Sequence, residues 1–477
     1  MQPIALQPTI FIIFGITSDL ASKKLIPALL GLYSKKQLPK RFSVIGITRR
    51  TFTREEFRES IRSSMRVRPG QFKEEDIKHF LDHFSYEQGM FDDPVLYTNL
   101  AKSIKKIDDS WGQCSNKLIH LSVPPALYEG ILKNVADSSL NVPCADGTGW
   151  TRILIEKPFG NDTDTARSLD KLLGKLFDEE QIFRIDHYLA KESLQNILAF
   201  RFANSMFEPL WNRQYIDKVH IKLFDNSSVE HRGQFYDGIG ALRFVGQNHV
   251  LGMLAIVAMD EPKSFDVDAI RSERASVLKK LVAISPRSLS KYVTKGQYEG
   301  YTKESGVSGN SATETYFRLE AHIGSSRWKG VPFYLESGKA FADARTEIDI
   351  YFKSPVCKPS NAKAFHGDEP KCIEKQNVLT FRIQPDEGIK VRFFVKIPGV
   401  SMATEPRILK FKYADTLDHP DTLGDYERLI HDAFVGDQSL FASTEEIMAS
   451  WRFVTPILDN WKNLPLKKYK KGVIEVE

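Results

Sequence analysis

Near its start the chain carries an unbroken run of β-branched and aromatic residues, TIFIIF from Thr9, that stops at Gly15. Leu25, Leu29 and Leu32 then recur at helical spacing, so a strand, a turn and a helix follow one another. Ser18 or Asp19 stands where it can cap that helix, and Pro27 where it bends or restarts it. A second apolar strand over residues 42–47 completes a βαβ unit. Two further strands, residues 117–122 and 152–156, run into Pro124-Pro125 and Lys157-Pro158-Phe159-Gly160. In open α/β sheets ligands sit at the carboxyl ends of the strands, so Gly15, Arg49, Pro124, Lys157 and His187 are expected to edge one crevice.

Beyond residue 190 the alternation of strand and helix gives way to a helix and then to strands, several of alternating polarity: residues 219–225, 315–323, 348–352, 378–383 and 391–397. Most have no long helix between them, which predicts a largely antiparallel sheet. Residues 237–259 read as an apolar-periodic helix carrying Gln247, Asn248 and His249. Ser443 and Glu446 have capping-box spacing ahead of Ile447 and Trp451. A chain of 477 residues is too long for one ordinary core. The expected fold is α/β plus α+β. A Rossmann-like dinucleotide-binding domain over residues 1–186 is followed by a larger, mainly antiparallel β domain with helices over residues 187–477.

Composition narrows the function classes. With 42% hydrophobic and 27% charged residues the chain reads as globular and soluble, and a net charge of +5 makes no case for a nucleic-acid partner. The apolar run from Ile10 to Phe14 is too short to span a bilayer and lacks the flanks of a signal peptide, so no membrane association is expected. Cys114, Cys144, Cys357 and Cys372 lie far apart, indicating neither a disulfide framework nor a zinc site and fitting a reducing cytoplasm; no metal site is expected. The basic run Lys467, Lys468, Lys470, Lys471 reads as a solvated C-terminal tail.

The densest chemistry lies in residues 184–192, RIDHYLAKE. His187 and Lys191 are four apart and would share a helix face, with the Tyr188 hydroxyl near the same turn. Three such donors at a helix start suit a phosphate dianion. His249 is the candidate general base, since a dehydrogenase acting on an alcohol must take up the hydroxyl proton as hydride leaves carbon. At the end of the second strand stands Arg49, followed by Arg50, where an NAD-binding fold carries an acidic residue, and arginine there favours the 2′-phosphate of NADP.

These segments resemble the glucose-6-phosphate dehydrogenase family. Residues 184–192 match its RIDHYLGKE signature with Ala190 for glycine, 156–160 its EKPFG motif, and 247–251 its QNHLL segment. Residues 15–21 match GASGDLA with Ser18 in place of the second glycine. SVPP (122–125), RFAN (201–204), RWKGVPFYLESGK (327–339), YERLI (426–430), GDQSLF (436–441) and WRFVTPILDNW (451–461) extend the likeness over nearly the whole chain. The resemblance implies that His249 accepts the proton and Asp186 orients it. Gly15, Ser18, Asp19 and Leu20 would lie in the cofactor loop, with Lys157 between cofactor and substrate. His187, Tyr188 and Lys191 would hold phosphate, and Asp225, Lys339 and Gln384 would lie on the substrate side. It also implies a homo-oligomer, dimer or tetramer, built through the sheet domain.

Two positions depart from the family in its sugar pocket. Where the family has a glutamate 24 residues before the catalytic histidine and an aspartate five before it, this chain has Asp225 and Phe244. Losing a hydrogen bond to a charged group costs about 1.5–3 kcal/mol, or roughly 10- to 150-fold in kcat/KM, which weakens an enzyme without abolishing it. The leading expectation is oxidation of D-glucose 6-phosphate at C1 with NADP, the first step of the oxidative pentose phosphate route. The alternatives are a dehydrogenase of another aldose 6-phosphate and a non-catalytic ligand-binding paralogue.

Overall fold

The computed structural model describes residues 6–65, 72–144, 149–354, 376–400, 403–415 and 423–476. The strands of the first half are β1 (Thr9–Phe14), β2 (Phe42–Thr48), β3 (Phe84–Gln88), β4 (Asn116–Leu121), β5 (Thr151–Glu156) and β6 (Ile182–Ile185). They pair in parallel in the order β6-β5-β4-β1-β2-β3, with every residue of β1 and β4 buried. Burial on both faces is why these strands read as continuous apolar runs. Gly15 ends β1 at φ +80°, and the helix behind it begins with a wide π-type turn, Ala21–Leu25. Regular α-helix resumes over Ile26–Ser34, with Pro27 directly behind the π-type turn, where the helix restarts.

The second half forms a nine-stranded sheet from β7 (Ile216–Phe224), β8 (Val293–Tyr298), β9 (Tyr316–Ala321), β10 (Phe333–Gly338), β11 (Arg345–Phe352), β12 (Val378–Gln384), β13 (Gly388–Lys396), β14 (Thr404–Lys412) and β16 (Leu466–Tyr469). Its order is β14-β13-β12-β11-β7-β10-β9-β8-β16, antiparallel except for the pairs β7–β10 and β8–β16. The chain then ties the sheets together. Strand β15 (Phe441–Ala442) pairs antiparallel with β6, and Leu429, Ile430, Ala433 and Phe434 of helix Asp425–Val435 share one core with Ala28, Leu29 and Leu30.

Three expectations are corrected. Cys114 and Cys144 form a disulfide with their Cα atoms 6.2 Å apart. The two cysteines precede β4 and β5, which are sheet neighbours, so strand pairing closes a 30-residue separation that spacing alone does not reveal. Cys357 and Cys372 lie outside the described residues. The basic run is not a solvated tail: residues 466–469 pair with β8, the Lys468 ammonium reaches Gln297 Oε1, and Lys471 bonds Glu304 at 2.9 Å. Lysines on an edge strand deter pairing with another chain. Finally, residues 187–190 are a turn, and the helix starts only at Glu192, so His187 and Lys191 converge through that turn rather than along a helix face.

Candidate active site

The carboxyl edge of the first sheet holds the expected residues in strand order: Gly15 after β1, Arg49 after β2, Pro124 after β4, Lys157 after β5, Asp186 and His187 after β6. A Cβ at Gly15 would lie 2.4 Å from the Ser122 carbonyl oxygen, so only glycine fits this turn at the end of β1. Ser18 spends its hydroxyl locally, bonding Ser122 Oγ at 2.6 Å and accepting from Ala21 N at 3.1 Å. Asp19 is exposed and paired with Lys23 at 2.9 Å, Leu20 stands half-exposed beside it, and Arg49 is exposed.

His249 comes from the second half of the chain, on a π-type helical segment, Leu242–Val250, that runs on as α-helix Leu251–Ala258. The sequence placed the start of this helix five residues early. Gly238 and Gly240 take φ of +82° and +76°, which breaks the backbone ahead of Leu242. His249 Nδ1 lies 2.5 Å from Asp186 Oδ1, and Nε2 lies 2.5 Å from the Lys157 ammonium. A carboxylate only accepts and an ammonium only donates, so the neutral ring carries its proton on Nδ1 and keeps a lone pair on Nε2. Burial pushes the imidazole pKa down to about 4; the Asp186 charge raises it, and the Lys157 charge lowers it further. Burial alone would raise the Asp186 pKa, but its pairing with His249 and the positive charge of Lys157 hold it well below the usual carboxylate range. Burial also brings Lys157 down to about 8 against the opposing pull of Asp186 and Glu156.

Around this pair stand the other expected residues. The Tyr188 backbone N–H donates to Asp186 Oδ1 at 3.0 Å, and its ring lies 4.3 Å from that of His249. Gln384 donates to the Tyr188 hydroxyl oxygen at 2.9 Å, and Thr346 Oγ1 lies 3.5 Å from the same oxygen. His187 packs against His249 at 4.8 Å, and its pKa is driven well down by burial and by the nearby Lys157 charge. Lys191 is paired with Asp425, and Lys339 with Asp225, each at 2.8 Å. Burial opposes ionisation of Asp225, but Lys339 and Ser227 outweigh it and lower its pKa. Phe244 presents its ring to the Lys157 ammonium at 4.7 Å and its carbonyl at 3.2 Å, with Tyr236 and Phe235 behind it.

Ligand atoms of Asp186, His187 and His249 fall within 4.8 Å of one another, a metal-like cluster, yet the Lys157 ammonium already occupies the cation position at Nε2. Pattern reading missed two neighbours of the site. Tyr426 donates to Glu156 Oε1 at 3.0 Å and stacks on His187, and Asp425 holds Lys191. The YERLI segment includes Tyr426 and begins just after Asp425, and it carries no spacing that links it to residues 187–191. A cleft of about 1020 Å³, lined by Arg201, Asn212, Asp260 and Arg327 beyond the far end of the His249 helix, holds none of these groups.

The family model described as glucose-6-phosphate dehydrogenase, NAD binding domain, matches residues 12–196, and that of the C-terminal domain matches residues 198–476. The glucose-6-phosphate 1-dehydrogenase of Chlamydia pneumoniae is 37% identical over 473 residues, 96% of this chain and 91% of that protein. The Aggregatibacter actinomycetemcomitans protein of the same name is 40% identical over 458 residues, covering 94% and 90%. A solved glucose-6-phosphate dehydrogenase in complex with its substrate glucose-6-phosphate superposes with a TM-score of 0.90 at 30% identity, over 99% of this chain and 96% of that one. The first sheet is thus part of a dinucleotide-binding domain, suited to a nicotinamide cofactor.

Proposed function

The chain belongs to the glucose-6-phosphate dehydrogenase family, and on that premise we propose that it oxidises D-glucose 6-phosphate at C1 to 6-phospho-D-glucono-1,5-lactone with NADP. The observation that carries the reading is the His249 imidazole, with its proton held on Nδ1 by Asp186 and its Nε2 lone pair turned to the Lys157 ammonium, at the carboxyl edge of a dinucleotide-binding sheet. Bound NADP supplies the hydride acceptor. His249 Nε2 takes the C1 hydroxyl proton, and Asp186 stabilises the imidazolium that results. Lys157, now against Nε2, turns its ammonium to the C1 oxygen, and Lys339 supports the same end of the sugar. His187, Tyr188 and Lys191 hold the phosphate, with Gln384 bracing Tyr188 and Asp225 bracing Lys339.

Gly15, Ser18, Asp19 and Leu20 form the cofactor loop, and the exposed Arg49 supports NADP over NAD by offering a fork for the 2′-phosphate. We further propose two domains divided at residues 186 and 187, action in the cytoplasm and a homo-oligomer. Support for the last comes from β14, an edge strand that exposes Ile408, Leu409 and Phe411.

A second reading is favoured by one observation: the aromatic wall of Phe244 beside Lys157, which accepts no sugar hydroxyl. On that reading the substrate is another aldose 6-phosphate. Steady-state NADPH formation with glucose 6-phosphate, by wild type and Phe244→Asp at matched concentrations and with NAD in parallel, separates the two. Robust wild-type turnover supports the first reading. Turnover only by the variant moves the assignment to a sugar-phosphate panel, and turnover by neither makes the chain non-catalytic.

A further inference from the structure

Lys191 and Asp425 meet at 2.8 Å although 234 residues separate them. The lysine is 14% exposed and the aspartate 35%, so water screens the pair only in part. Asp425 opens helix Asp425–Val435, and that helix is firmly seated. Tyr426 beside it bonds Glu156 at 3.0 Å and lies nearly parallel to the His187 ring, with 23° between planes. Glu427 is buried and accepts from Lys35 at 2.7 Å. Leu429, Ile430, Ala433 and Phe434 are buried in the core under the first helix. The carboxylate is therefore fixed beside Lys191 by an anchored element.

We infer that Asp425 sets the affinity of the phosphate pocket, as a resident counter-ion on Lys191 that an incoming phosphate must share or displace. This rests on the reading that the substrate's phosphate lies against His187, Tyr188 and Lys191. His187 and Tyr188 bring hydrogen bonds without net charge, so Lys191 is the full positive charge among the three. With Asp425 in place that charge is cancelled before the dianion arrives, and a fixed negative charge stands within the length of a lysine from it. Like charges so placed repel, and in a partly buried site the repulsion is large enough to govern binding. The pocket is tuned to hold a phosphoester loosely, which favours release of a phosphorylated product.

Calorimetric titration of the full-length protein with glucose 6-phosphate, and separately with inorganic phosphate, tests this without requiring turnover. Asp425→Asn is expected to bind both about tenfold more tightly at low salt, with the gain shrinking in about 1 M salt. Asp425→Glu, which keeps the charge, should stay near wild type and shows that the helix tolerates substitution. In a Lys191→Met background, where there is no cation to free, Asp425→Asn should gain less than about twofold. Unchanged or weaker binding by Asp425→Asn, with Lys191→Met still impaired, overturns the inference alone and makes Asp425 a brace that aims the lysine. Unimpaired binding by Lys191→Met overturns the placement of the phosphate and the inference with it.

Discussion

At the level of single residues, the His249 imidazole stays neutral because it is buried. Its pKa of about 4 in the folded chain, against 6.5 when free, means that the unfolded chain takes up the proton first as pH falls. Stability should therefore drop as pH falls through the window from about 6.5 to about 4. Urea unfolding at pH 7 and pH 4.5 should show this loss, and His249→Gln should show less of it. The same substitution should lower kcat/KM by about 10²- to 10⁴-fold, the usual worth of a positioned base, measured by NADPH formation at pH 7.5. Lys157, at about 8, should give kcat/KM an alkaline limb near that pH as its ammonium loses charge. His249 and Asp186 were legible because each sits in a short motif. The pairing of Lys191 with Asp425 was not, since no local periodicity connects residues 234 positions apart. Phe244 was legible as a departure, but its place over the Lys157 ammonium emerges only when the two halves of the chain pack.

Among the elements, the helix that carries His249 is held at its far end by three side chains from separate segments. Arg201 donates to the carbonyls of Ile256 and Val257 at 3.4 and 3.1 Å, Trp211 to Val257 at 2.8 Å, and Trp328 to Ala258 at 2.8 Å. A helix end leaves such carbonyls without intrahelical partners, and all three capping side chains are fully buried here. Trp328→Phe keeps most of the ring but leaves the Ala258 carbonyl unpaired, so it should cost about 1–3 kcal/mol of stability. A thermal melt beside wild type checks this; no change would mean that the cap is redundant. Helix and strand identities were mostly legible from periodicity. The boundaries were not, because they are set by positive-φ glycines ahead of Leu242 and, in the 187–190 turn, by packing against the second domain's helix. Strands β3, β8, β10, β14 and β16 escaped notice: β3, β14 and β16 are edge strands, and β8 and β10 are short runs without clean alternation.

For the whole molecule, the two-sheet plan follows from the change of rhythm near residue 190, but the joinery does not. The last fifth of the chain returns to the first sheet through β15 and helix Asp425–Val435, and the Cys114–Cys144 bridge closes the amino-terminal ends of β4 and β5. Both depend on which strands become neighbours, a property of topology rather than of local pattern. At one edge of the second sheet, the exposed apolar side chains of β14 make a specific forecast. Leu409→Glu should shift the sedimentation of the protein toward monomer while leaving its circular dichroism intact; an unaltered assembly would exclude this strand from the interface.

The most direct test of the central claim is the fate of the C1 hydrogen. Incubated with [1-²H]glucose 6-phosphate and NADP, the wild-type protein should place deuterium on the nicotinamide ring at a readily measured rate, and His249→Gln should do so orders of magnitude more slowly. Absence of deuterated cofactor from the wild type, or equal transfer by both proteins, would contradict the assignment of this site.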